Sequence, residues 1–580
     1  MNVGTNKGCI KSIAAIALIV IFMWAGYFWA GKLAIRRLYE QDSFLPALNK
    51  VISGQDVHSL GHYYSRCEAL MLQFTLAAAA LILLFIGYLA IPKAFLQTTY
   101  EMCSEKLLLA VRNKYLLVFG AAAVLLLILL IASCVLLKFP NSGDEHAYIF
   151  QAKIYNSGKL WVSPHPHQDF FECWFISSKD GKLFSQVPFG WPALLALALR
   201  FSLPLWALNP IIGVVAIMVL YEIAKILFDA KTGLLAALLM SASPYFLLTS
   251  ASYFSHTLCS LLILSCYYFL LVAKRKSSVA LASLAGIFLG WSLVTRYYSA
   301  AICALPVILH LLTDLRKNLR ILLGTAAGAM AALSIQLAYN LEITGNAFLL
   351  PYNYIDPREG LGFIKGHTVA LGLENAYVML RDFLAWTPIT LLLIYVFALK
   401  EKHKIFPWSI LLYQFPIIVM GHILYWSDGG NGYGPRYYYE AYPFMVLAVS
   451  GYVNETKRSR NRNAFVWYLL LVGFLVVPVQ LGWHLYVEGA VVKERMWLYD
   501  EAKKEELDNA VVFLKSGIGG RRPMGRIDLT RNAIDFSNDV LFVMDRGEQN
   551  AKLMEFYEDK SYYLYSYDKA RDEGELRRIR

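Results

Sequence analysis

The chain has 580 residues, of which 57% are hydrophobic and only 17% charged. A soluble globular protein carries roughly 25% charged residues to cover its surface, so a soluble fold is excluded and most of this surface faces lipid. The net charge of +12 does not point to nucleic acid. Its clearest clusters are short Lys/Arg turns between apolar runs, the pattern of a membrane protein oriented by its cytoplasmic loops.

In chain order, the apolar runs predict helical spans near residues 10–34, 69–91, 115–138, 208–228, 234–253, 255–273, 279–295, 297–313, 320–341, 379–399, 405–425, 437–453 and 464–486. The longer runs reach the roughly 20 residues that cross a hydrocarbon core of ~30 Å, and a helix satisfies its own backbone in lipid. They are too long and unbroken for barrel strands. The first follows Lys7 and Lys11 like a signal peptide, but it is too long for one and reads as an uncleaved anchor. Cys134, Cys259, Cys266 and Cys303 lie in apolar runs and no CxxC pair occurs, so neither a disulfide framework nor a zinc site is expected.

The basic turns set the orientation. Lys274-Arg275-Lys276 and the stretches Arg316–Arg320, Lys400–Lys404 and Lys457–Arg462 fall on one side of this span order, which makes that side cytoplasmic. The loops 139–207, 342–378 and 426–436 and the tail 487–580 then face outward. This parity requires that Trp191–Phe201, opened by Pro188 and Pro192, lies in the interface rather than crossing. In the loop 139–207, Ser142 and Glu145 fit a capping box for a helix running to Gly158. Ala147, Phe150, Gln151 and Ile154 share one face of it, so it reads as amphipathic and interfacial. Asp180-Gly181 between the alternating stretches 173–178 and 183–187 is a hairpin signal. In the tail, Val540–Met544 reads as a strand, Glu548–Asp559 as a helix and Ser561–Tyr567 as a strand.

The expected architecture is a polytopic α-helical membrane protein of about thirteen transmembrane helices, with outward interfacial helices and a small C-terminal α/β domain. Residues 1–114 form a two-span extension with a cytoplasmic linker, 115–486 the main membrane domain, and 487–580 the extracytoplasmic domain.

Three clusters could carry chemistry. Ser142-Gly143-Asp144-Glu145-His146 places two carboxylates just outside a span. An acid there is suited to a helix N-terminus, and Glu145 reads as the cap partner of Ser142, a role glutamine could also fill. A carboxylate at this edge could equally remove a proton from an acceptor hydroxyl. Gly434-Pro435-Arg436-Tyr437-Tyr438-Tyr439-Glu440 sets Arg436 at the mouth of another span. It could snorkel to headgroups or bind phosphate with its planar fork, and Glu440 could simply pair with it. Arg296 lies between two apolar runs at the same outer level, and His256 after Ser255 shares that level. A lone histidine at a helix start is more often structural, and most of the Tyr and Trp side chains belong to interfacial belts.

The order of these motifs resembles the bacterial GT-C glycosyltransferases related to protein O-mannosyltransferases and lipid A aminoarabinose transferases. A span is followed by Gly143-Asp144-Glu145-His146-Ala147-Tyr148. Phe184-Ser185-Gln186-Val187-Pro188-Phe189-Gly190-Trp191-Pro192 comes next, then Ser255-His256, then Thr295-Arg296 before a Pro306-bearing span, and last Gly434-Pro435-Arg436-Tyr437 with Glu440. The likeness covers roughly residues 115–455. It implies a polyprenyl-phosphate-linked sugar donor, a cell-envelope acceptor of undefined identity, an outward-facing site in the plasma membrane, and inversion at the anomeric carbon. It assigns Asp144 as base. The residues themselves offer Glu145 as a second carboxylate beside it, and Arg296 and Arg436, cations at the outer edge, as ligands of the donor phosphate. His256, Gln186, Tyr437 and Glu440 are further site candidates. Members vary in metal dependence, so a divalent metal stays open as a cofactor, though no metal-ligand spacing is present. A transporter or flippase is the main competing class. It would carry its charges inside spans or at broken mid-membrane helices, whereas these charges sit at the outer edge.

Overall fold

The computed structural model describes residues 82, 84–359, 362, 364–400, 409–427, 429, 432–456, 460–515, 531–568 and 573–580. The expected span 10–34 and most of 69–91 lie outside the described residues. The chain divides into two compact units. One comprises Met1–Lys106, Pro388–Ile394 and Val453–Val479, and the other Leu107–Thr387, Tyr395–Tyr452 and Gln480–Arg580.

The principal helices are α1 Lys93–Arg112, α2 Lys114–Leu130, α5 Leu208–Leu227, α6 Ala230–Ser241, α7 Pro244–Ser250, α8 His256–Lys276, α9 Val279–Thr295, α10 Tyr297–Leu312, α11 Leu315–Thr344, α12 Val369–Trp386, α13 Ile389–Lys400, α14 Gln414–Ile423, α15 Tyr442–Glu455 and α16 Arg460–Lys504. Between α2 and α5 lie α3 Gly143–Asn156, the strands β1 Ile176–Lys179 and β2 Lys182–Ser185, and α4 Gly190–Arg200. Among the described residues, five helices are long and apolar enough to cross a membrane, and up to seven if each of two bent pairs is one span. The expected span 234–253 is such a pair: α6 and α7 meet at 69°. Pro244 opens α7 and Ser243 caps it, because proline cannot donate to the preceding turn.

In the smaller unit, Tyr88 packs edge-on against Phe465 at 4.9 Å, the Tyr468 hydroxyl donates to the Leu84 carbonyl at 2.9 Å, and the Trp467 indole donates to Thr99 at 3.0 Å.

In the larger unit, α9 and α11 are interlocked through glycines spaced four apart, Gly286 with Gly290 and Gly324 with Gly328. A Cβ on Gly328 would lie 1.9 Å from the Ser283 carbonyl oxygen, and one on Gly286 would lie 2.0 Å from that of Thr325. Small residues at this spacing let backbones touch where lipid supplies no hydrophobic drive. Arg296 follows directly on the C-terminus of α9 in an extended conformation, breaking the chain between α9 and α10.

The outward segment departs from its expected form at α3. Residues all round the helix are buried, from Glu145 through Ala152 and again at Ile154, so it is enclosed rather than amphipathic. The Gln151 side chain explains part of this. It accepts from the Ser185 amide at 2.7 Å and donates to the Leu160 carbonyl at 2.8 Å, tying the helix to its own loop. The hairpin forms as expected, with Lys179 opposite Lys182 and Asp180 and Gly181 both at positive φ, the turn that matches strand twist.

After α16 comes a four-stranded sheet ordered β4-β3-β5-β6, from β3 Ala510–Leu514, β4 Val540–Met544, β5 Ser561–Asp568 and β6 Glu573–Arg578. β3 is parallel to β4 and β5, and β6 runs antiparallel to β5. The expected helix Glu548–Asp559 is shorter, α17 Asn550–Phe556.

Candidate active site

The turn before α3 is built by side chains meeting backbone amides. Ser142 caps the helix and its hydroxyl accepts from the Glu145 amide at 3.3 Å, as expected of a capping box. The carboxylate does not complete the box on Ser142. One oxygen accepts from the Asn141 amide at 2.8 Å and the other from the Tyr253 amide at 2.8 Å. Glu145 therefore fastens two distant turns together, and glutamine could not replace it fully because its NH2 would face a donor. Burial pushes the Glu145 carboxyl up to about 7, against the pull of those two N–H groups.

Asp144, next along the helix, points about 100° away and meets a different partner. Its Oδ2 lies 2.7 Å from Nη1 of Arg436, 292 residues distant in sequence, and both side chains remain slightly exposed at 15% and 11%. Arg436 opens a 3-10 turn, Arg436–Ala441, and its guanidinium stands over Phe254 and Tyr437, 5.5 Å from each ring centre. Tyr437 also lies 6.0 Å from the Arg296 guanidinium, so one ring separates two cations. Arg296 pairs with Glu440 at 2.7 Å, and that carboxylate is fully buried. Glu440 thus partners Arg296 rather than Arg436, correcting the simplest sequence expectation: the residue four positions away holds the other arginine. Gly434 at φ +85° makes the approach to Arg436; a Cβ there would meet Tyr245 and Trp386.

His256 is fully buried. Its ring lies edge-on to Phe254 at 5.1 Å and to Tyr439 at 6.2 Å, and neither ring nitrogen has a hydrogen-bond partner among the described residues. Gln186 is not drawn into this group by any described bond; its side-chain amide donates to Ser177 at 2.7 Å in the hairpin. Sequence reasoning passed over Tyr148, whose hydroxyl lies 3.0 Å from that of Ser255. The available signal was its place one turn after Asp144 on the same helix face. It also passed over Phe254, beneath Arg436, and His422, stacked on Tyr437 at 4.9 Å.

Among the described residues no group of three or more His, Cys, Asp or Glu side chains could hold a metal ion. Asp144 and Glu440 each face an arginine and Glu145 faces two amides, so the carboxylates here do not form a metal donor set.

Residues 189–339 match a family model described as dolichyl-phosphate-mannose-protein mannosyltransferase. The structure also matches the crystal structure of ArnT from Cupriavidus metallidurans bound to undecaprenyl phosphate, over 79% of this chain and 94% of that one, with a TM-score of 0.51 at 11% identity. The fold is of the GT-C type. The apo state of the same ArnT gives a TM-score of 0.51 at 11% identity, over 79% and 93% of the two chains. The Archaeoglobus fulgidus oligosaccharyltransferase in its apo form matches with a TM-score of 0.47 at 12% identity, over 79% of this chain and 70% of that one. No curated protein sequence matches the chain. Within this GT-C fold the family-model match takes in His256 and Arg296 and stops short of Asp144 and Arg436.

Proposed function

We propose that this protein is a membrane glycosyltransferase that takes a sugar from a polyprenyl-phosphate donor and passes it to a cell-envelope acceptor. The site faces outward, in a chain of about thirteen spans. The observation that carries this reading is the Asp144–Arg436 pair, an acid and a phosphate-suited fork in contact at a partly open position. The GT-C fold shared with a protein solved on undecaprenyl phosphate supports the class of donor.

The chemistry asks little else of the protein. A sugar joined to phosphate already carries a good leaving group. Asp144 takes the proton of the acceptor hydroxyl as its oxygen bonds to the anomeric carbon, and the C–O bond to phosphate breaks on the opposite face, inverting that carbon. Arg436 and Arg296 stabilise the departing phosphate. Asp144 is held by Arg436, so a phosphate that takes over the guanidinium frees the carboxylate to act as a base.

The test is Asp144→Asn, which keeps the shape and removes the basic oxygen. Sugar transfer, read by mass spectrometry of envelope glycans and lipids, should fall by at least ~10²-fold with the protein still folded. Undiminished transfer removes Asp144 from the mechanism.

A further inference from the structure

The turn that carries Asp144 is gripped from the far end of the chain. Arg495 lies on α16, beyond the last apolar stretch, and is 8% exposed. Its Nη1 donates to the Asn141 backbone carbonyl and, at 2.7 Å, to the Asn141 side-chain oxygen. The amide of the same Asn141 donates to Glu145, and Asn141 immediately precedes the cap of α3. Two further contacts come from residues just before β4. The Arg531 guanidinium covers the rings of Tyr499 at 4.3 Å and Phe139 at 5.6 Å, and the Asn532 carbonyl accepts from Lys153 in the last turn of α3 at 3.4 Å. The C-terminal segment thus holds the Asp144 helix at its start and its end.

Burying a guanidinium beside a turn is a costly way to fix it. Two charge-assisted bonds from one nitrogen group also define that turn more sharply than packing does. We infer that Arg495 is a positioning residue for the reaction under "Proposed function": it fixes Asn141, and through it the Glu145 turn, so that Asp144 stands at the right distance from Arg436 and the acceptor hydroxyl. The inference rests on that functional reading. An error of about 1 Å in such a placement costs on the order of 10²-fold in rate, whereas the arginines that meet phosphate are untouched.

The test uses the full-length chain in nanodiscs and in its native membrane. Undecaprenyl phosphate binding reports the donor site, and glycan transfer reports turnover. In Arg495→Met, transfer should fall on the order of 10²-fold while the dissociation constant for undecaprenyl phosphate stays within about twofold. Arg495→Lys, which can still donate to both oxygens, should recover most of the loss. Asn141→Ala, which keeps the backbone acceptor and loses the side-chain one, should show a smaller fall. Full transfer by folded Arg495→Met overturns the inference, and so does a parallel loss of transfer and binding. Should Arg495→Met fail to fold, wild-type transfer by both Arg495→Lys and Asn141→Ala overturns it. Failure of the unaltered chain to bind undecaprenyl phosphate instead overturns the parent reading.

Discussion

The two arginine–carboxylate pairs are the same chemistry placed at different depths. Each closes at 2.7 Å, yet Asp144 keeps some access to solvent while Glu440 has none. An accessible carboxylate can trade its arginine for a substrate and then act on another. A sealed one can only hold its arginine in place. On the proposed function, depth separates a working pair from a supporting one, with Tyr437 between the two guanidinium groups.

The largest expected effect tests the supporting pair. Glu440→Ala leaves Arg296 charged and unpartnered and should cost about 3–5 kcal/mol of stability, read as a lowered melting temperature. Exchanging both members for apolar residues, Arg296→Met with Glu440→Leu, should restore much of it. A Glu440→Ala protein that melts like the unaltered one would show the two pairs to be alike.

The working pair gives a smaller effect with an unusual sign. Asp144→Asn frees Arg436 from its competitor, so undecaprenyl phosphate should bind more tightly, on the order of tenfold, even as transfer is lost. Arg436→Ala should weaken the same binding by about 1.5–3 kcal/mol, and lysine there should restore only part of it, a point charge standing in for a fork. Weaker binding by Asp144→Asn would mean that the carboxylate touches the donor itself and the exchange does not occur.

The last test concerns Glu145, which no arginine meets. Its carboxyl sits near 7 in the folded chain against an ordinary 4.5. Between these values the folded state keeps a proton that the unfolded chain has released. Its stabilising contribution is therefore full below about 4.5, declines as pH rises to about 7, and changes no further above. Glu145→Gln should remove that slope from the melting temperature while lowering the curve at every pH. An unchanged slope assigns it to other groups.

Much of this was legible because chemistry-bearing residues recur in a fixed order. Asp144, Arg296 and Arg436 stood out as charges at membrane edges, and the hairpin at Asp180-Gly181 follows from turn chemistry alone. What could not be read was partnership over long separations. Nothing local says that Glu145 reaches Tyr253, or that Glu440 reaches Arg296 rather than its near neighbour. Within the sheet the two unread strands differ. β3 is a short apolar run buried along its whole length, the pattern of a central parallel strand, so a signal was present. β6 is polar, Glu573–Arg578, and its pairing with β5 follows from the sheet's topology rather than from its own composition. The bend before Pro244 was written plainly in the sequence and was masked by the apolarity on both sides.

The glycine seam between α9 and α11 bears on motion. With carbonyl oxygens lying where side chains would otherwise stand, these helices have no slack along which to slide, and Arg296 is fixed to the end of one of them. The seam makes that side of the site an anvil. Any travel needed to admit a lipid-linked sugar, and to let it go, belongs to parts of the site away from this seam.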